Sequence, residues 1–177
     1  MSLFGKLKKS LGVGTISFEL VVPAQIEGSS GTLEGDIQLV AKSAQQVKDV
    51  EVVFERIYTW EERESHHNPS TGRSEDRWVE RSNTVELGRF LDETAFALAA
   101  DETRAIHFAI AFQPIAGQET SDSSDLLWNV LDSALFNGSP IFGSSTRNQR
   151  IQYKVSGDVD LEDVAFDKGD SMTIVVR

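Results

Sequence analysis

From Thr32 to Ala41 the chain alternates between two kinds of residue. Leu33, Gly35, Ile37, Leu39 and Ala41 take one parity; Thr32, Glu34, Asp36 and Gln38 take the other, with Val40 the exception. A period of two marks a strand with one buried and one wet face. After a polar turn, Val50, Val52 and Phe54 alternate with Glu51 and Glu55. Two strands of this kind joined by a short polar connection predict an antiparallel pair. A pair of this length frames a β-sandwich.

The same grammar recurs along the chain. Ile16, Phe18, Leu20 and Val22 form a first strand that ends at Pro23, which has no N–H for a ladder. Past Phe54 the second long strand mixes its faces at Ile57 before Tyr58 and Trp60 resume the alternation, so a bend or bulge is expected there. Residues 61–77 hold no apolar side chain, and Asn68-Pro69 and Thr71-Gly72 are turn chemistry. They predict a long, mobile hairpin loop with Trp60 and Trp78 near its base, and Val79, Val85, Leu87 and Phe90 on the returning strand. Phe96 and Leu98 mark a short strand. Ile106, Phe108, Ile110 and Phe112 give the cleanest alternation in the chain, ended by Pro114. Ile151 to Val159 and Met172 to Val176 supply a closing hairpin.

Residues 117–148 break the pattern. Asp122 to Asp125 can cap a helix. Leu126, Leu127, Val130, Leu131, Ala134 and Leu135 then recur as pairs four apart, and Asn137-Gly138 is a helix stop. The expected fold is all-β, an antiparallel β-sandwich with one α-helix inserted near 123–136. Neither a repeat nor a linker divides it, so residues 15–177 read as a single domain behind a basic amphipathic segment, 1–14.

Composition narrows the function classes. A chain of 177 residues can bury a sizeable core without staples. It contains no cysteine, which rules out disulfides and thiolate metal sites. Its 17 basic and 28 acidic residues leave a formal charge of −11, which argues against nonspecific nucleic-acid binding. No apolar run approaches the ~20 residues of a membrane span. The basic N-terminus lacks the ~7–15-residue apolar core of a signal peptide. A cytoplasmic protein is the expectation.

The candidate chemistry is sparse. His66 and His67 lie among Glu62, Glu64, Glu75 and Asp76, but neighbours on an extended chain point apart, and no third ligand has helix-locked spacing. His107 sits among Ala105, Ala109 and Ala111, without a G-x-S-x-G elbow anywhere. Gly12-Val13-Gly14 precedes a strand rather than a helix, so the dinucleotide fingerprint fails. No catalytic, cofactor or metal residue is assigned, and the chain reads as a non-enzyme.

Two segments carry interaction signals instead. The helical stripe Leu126, Leu127, Trp128, Val130, Leu131 and Leu135 either packs over the sandwich or meets a partner, including a second copy of the chain. Phe4, Leu7 and Leu11 with Lys6, Lys8 and Lys9 either pack as a first turn or form a weak anchor for an anionic membrane or a partner groove.

Four stretches together resemble the arrestin-like superfamily, most closely its bacterial sporulation-control (SpoOM-like) branch. They are SLFGKLKKSLGVG, the long pair GTLEGDIQLVAKSAQQVKDVEVVFERIYTW, FALAADETRAIHFAIAFQPIAG, and the closing IQYKVSGDVDLEDVAFDKGDSMTIVV. The chain has room for one arrestin-like lobe where arrestins proper have two. Strand one carries no lysine, so phosphate sensing is not carried over. The resemblance implies a noncatalytic interaction, scaffold or regulatory protein of a bacterium, with protein partners it does not name. A peripheral membrane adaptor and a ligand-binding or enzymatic sandwich stand as the alternatives.

Overall fold

A computed structural model of the chain describes residues 15–68, 72–115, 146–162 and 168–177. Nine strands follow in order: β1 (Ile16–Val21), β2 (Gln25–Ile26), β3 (Thr32–Ala41), β4 (Gln45–Asn68), β5 (Arg73–Asp92), β6 (Phe96–Leu98), β7 (Thr103–Ala111), β8 (Thr146–Leu161) and β9 (Lys168–Val176). A 3-10 turn at Gly28–Ser30 is the one helical element among the described residues. The helix expected near 123–136 lies outside them.

Contacts group the chain into two units. The first comprises residues 1–56, 85–117 and 152–177; the second comprises 57–84 and 118–151. The first unit holds the core. One sheet has three strands in the order β1-β3-β7, and the other runs β2-β9-β8-β4-β5 with β6 paired to β4. Leu33, Ile37, Leu39, Phe108 and Ile110 from the first sheet and Val50, Val52, Phe54, Val155 and Val159 from the second are all buried in one cluster. The sandwich expectation therefore holds, with two corrections to its wiring.

First, β3 and β4 are not a hydrogen-bonded pair. β3 pairs antiparallel with β1 and β7, whereas β4 belongs to the other sheet. Two strands with one apolar face each can pair side by side or face one another across a core, and alternation alone does not separate these cases. Second, the larger sheet is mixed: β2 runs parallel to β9, at Gln25↔Val175 and Ile26↔Val176.

The irregularity in β4 also lies elsewhere than expected. Gln45 and Val47 are buried at odd positions, and Val50, Val52 and Phe54 at even ones. The inward phase slips by one residue across Lys48 and Asp49, which is what a bulge does to a strand. Past Phe54 the even phase continues without a break through half-buried Arg56 to Tyr58. The apparent fault at Ile57 arises because a cation occupies an inward position. Arg56 hydrogen-bonds the Tyr153 hydroxyl.

That placement makes a pH prediction. Burial pushes the Tyr153 phenol above its ordinary 10.0, with Arg56 opposing the shift. The unfolded chain ionises first. The stability tied to neutral Tyr153 is thus fully present below pH 10.0 and is lost as pH rises past that value. Tyr153→Phe is expected to flatten the alkaline limb of a stability–pH curve. An unchanged slope would remove the buried-phenol explanation.

Gly35 is set by a close approach. It pairs across the ladder with Phe108, and a β-carbon there would lie 2.6 Å from the Phe108 ring and 2.8 Å from the Val21 carbonyl oxygen. Glycine lets the ring lie over the neighbouring strand and fill the core.

In the second unit, residues 61–68 and 73–77 are strand where the sequence predicts a loop. β4 continues to Asn68 and β5 begins at Arg73. Charged pairs knit the two strands: Arg63 with Asp76, Arg81 with Glu64, Arg77 with Glu64 at 3.4 Å, and Arg81 with Glu62 at 3.5 Å. Arg147 bonds Glu61 at 2.6 Å and stacks over Trp78 at 4.1 Å. The Arg147 hydrogen bond holds the Glu61 carboxyl below its ordinary range, as Arg63 does for Asp76. A ladder wet on both faces has no apolar period, so hydrophobic alternation passes over it.

Candidate protein-interaction edge

The segments favoured by sequence for interaction, Leu126 to Leu135 and Phe4 to Leu11, lie outside the described residues. His66 lies exposed on β4, and the His67 side chain also falls outside what is described. Among the described residues, no three His, Asp or Glu side chains converge as a metal site. His107 sits on the outer face of the three-stranded sheet, opposite Asp36 in register. Its Nδ1 is 3.1 Å from Asp36 Oδ1, and the two side chains are 64% and 51% exposed. That is a surface pair open to water, not a pair held in a cleft.

An open depression of about 460 Å³ lies where β4 begins beside β6, lined by Gln45, Gln46, Leu98 and Glu162 among others. Gln45 is buried, and its Nε2 donates to Ser43 Oγ at 2.8 Å. The lining offers amides and one carboxylate, without an imidazole or a hydroxyl.

The feature that stands out is β7. Phe112 N donates to Gly31 O at 2.9 Å, which makes residues 112 and 31 a hydrogen-bonded pair. Such pairs recur every second residue in an antiparallel ladder. With the register Ala111↔Thr32 to Thr103↔Val40, the main chains of Arg104, Ile106, Phe108 and Ile110 therefore bond to β3. Those of Thr103, Ala105, His107, Ala109 and Ala111 point the other way. Among the described residues, β7 has β3 as its one sheet neighbour.

The opposite edge of this sheet is managed differently. Lys42 N donates to Thr15 O, so the even-numbered groups of β1 face outward. One of them, Leu20 N, is capped by Asp170 Oδ2 at 3.4 Å. Phe18 also packs on Gly157, where a β-carbon would meet its ring at 2.9 Å. On β7 the closure that the described residues show lies at the far end. Gly88 of β5 comes so near that a β-carbon there would lie 2.5 Å from Ile110 Cγ2 and 2.6 Å from the Ala111 carbonyl oxygen. Thr103 to Ala109, about 24 Å of extended chain, lies beyond that contact.

Side chains leave this edge accessible. Natural edge strands are usually blunted by lysine, proline or inward charge. β7, TRAIHFAIA, has neither lysine nor proline, its one full charge is Arg104 near the start of the strand, and its outer face carries Ala105, His107, Ala109 and Ala111. Arg104 is exposed and lies over the Phe96 ring at 3.8 Å. Ile106 on the inner face is only partly buried. The next strand on the outer face supplies exposed Glu34 and Asp36, opposite Ala109 and His107, and Glu19 is exposed on β1. The sequence did carry a signal for this: Ala105, Ala109 and Ala111 on the outward parity of a long strand in a strongly acidic chain.

No family model matches this chain, and no curated protein matches it. Among solved structures, it is similar to the sporulation control protein Spo0M from Bacillus subtilis, at 14% identity and a TM-score of 0.48. The alignment covers 93% of this chain and 50% of that one, so the chain spans about half the length of the protein it matches. Among the described residues, no helix is long and apolar enough to cross a membrane.

Proposed function

We propose that this chain is a noncatalytic interaction protein, of the regulatory or scaffolding kind, that captures an extended segment of a protein partner along β7. The observation that supports this reading is that, among the described residues, nine-residue β7 has β3 as its one sheet neighbour, with outward main-chain groups spaced for a further strand. Strand addition draws affinity from main-chain hydrogen bonds and specificity from alternate side chains. The small outward residues Ala105 and Ala109 leave room for both. Cytoplasmic residence belongs to the same proposal.

Selection of displayed random peptides on the wild-type protein tests the reading. Selected binders are expected to be extended and proline-poor, and to lose at least about tenfold in affinity for Ala109→Pro, which removes one outward N–H. Binders indifferent to that substitution would contradict it.

A further inference from the structure

We infer that the segment taken by β7 is basic and amphipathic, with a lysine or arginine that passes over Ala109 to reach Glu34; this rests on the strand-addition reading above. The register sets the geometry. Ala109 lies opposite Glu34 on β3, so a strand added at the β7 edge sits two strand spacings, about 10 Å, from β3. A lysine's four-carbon stem carries its ammonium about 6 Å, and a glutamate reaches most of the remainder. The methyl group of Ala109 is low enough for the stem to lie across it.

The neighbouring positions refine the pattern. His107 already lies against Asp36, so a small residue fits opposite it. Ala105 faces Gln38, a polar but uncharged partner. On the other parity, incoming side chains fall beside partly buried Ile106 and buried Phe108, where apolar residues extend the core. The matching segment thus alternates aliphatic and basic or small residues. The charge of −11 on the whole chain steers such a segment inward, more strongly at low salt.

The test uses synthetic strand peptides and fluorescence anisotropy with the full chain. One peptide alternates valine and lysine. A second replaces lysine with glutamate. A third is the lysine peptide with alternate backbone nitrogens methylated, which removes ladder donors but keeps the charge. The lysine peptide is expected to bind at least about tenfold more tightly than the other two, and Glu34→Lys to weaken it about tenfold without lowering the melting temperature. Glu34 is exposed, so its replacement leaves the core intact.

The alternatives separate cleanly. Equal binding of the lysine and glutamate peptides, with methylation abolishing binding, overturns the basic segment and leaves strand addition standing. Equal binding of the lysine peptide and its methylated copy overturns both, because the charge then acts without the edge. No binding by any peptide, together with a dimer in sedimentation, puts a second copy of the chain on the edge and overturns the basic segment. No binding by a monomer overturns strand addition as well.

Discussion

Phe54→Ala is expected to lower the unfolding free energy by about 3–5 kcal/mol, the usual cost of emptying a buried aromatic site. Phe54 is fully buried and meets Phe112 edge-on at 5.2 Å and Tyr153 at 6.1 Å. One neighbour follows β7 and the other sits on β8, so the two sides of the cavity cannot readily collapse together. For a chain of this size the loss corresponds to a fall in melting temperature of roughly 6–20 °C. Urea unfolding measures it directly, with Val175→Ala as the control. Val175 is 53% exposed, and its replacement is expected to fall within about 0.5 kcal/mol of wild type. A Phe54→Ala cost under about 1 kcal/mol would mean that the two sheets do not close over this ring.

The second large effect is a contrast of parity along β7. Ala109→Pro and Ala105→Pro remove outward donors, whereas Ile106→Pro and Phe108→Pro remove donors that β3 uses. Proline is tolerated on edge strands where its missing N–H faces away from the ladder. The odd substitutions are expected to keep the fold and to weaken an added strand at least about tenfold. The even ones also orphan a buried carbonyl on β3, at about 1–3 kcal/mol, and lose side-chain packing. Phe108→Pro, which removes a fully buried ring, is expected to unfold the chain at moderate temperature. Circular dichroism and peptide anisotropy on the four variants read both effects. Equal damage from odd and even substitutions would contradict the register or the free edge.

Much of the sandwich was legible because its strands are half-buried. Leu33 to Ala41, Phe108 to Phe112 and Val155 to Val159 each announce an inward face through alternation, and each is buried on that parity. What alternation cannot carry is partnership. It does not say that β3 and β4 face each other across the core, because the apolar pattern is the same for a neighbour and for a lid. It is blind to the ladder between residues 57–68 and 73–84, where Arg63, Glu64, Asp76 and Arg81 are held by pairing rather than by burial. It misplaced the fault in β4 because Arg56 is inward but charged, while the real slip at Lys48 and Asp49 hides in a stretch that reads as a turn.

The candidate site was less legible for a related reason. Sequence drew attention to apolar stripes and lysines, and these fall outside the described residues. The β7 edge has neither. It is defined by which main-chain groups face outward, and that depends on the hydrogen bond from Phe112 to Gly31. Ala105 and Ala109 become informative only after that phase is known.

On the strand-addition reading, the outward main-chain groups of β7 are free in the isolated protein and engaged in the bound one. Residue-resolved amide hydrogen exchange tests it most directly. The amides of Ala105, His107 and Ala109 are expected to exchange rapidly in the free protein, while those of Ile106, Phe108 and Ile110 are strongly protected, and a saturating strand peptide is expected to slow the first set alone. Equal protection of both sets before any peptide is added would contradict the claim.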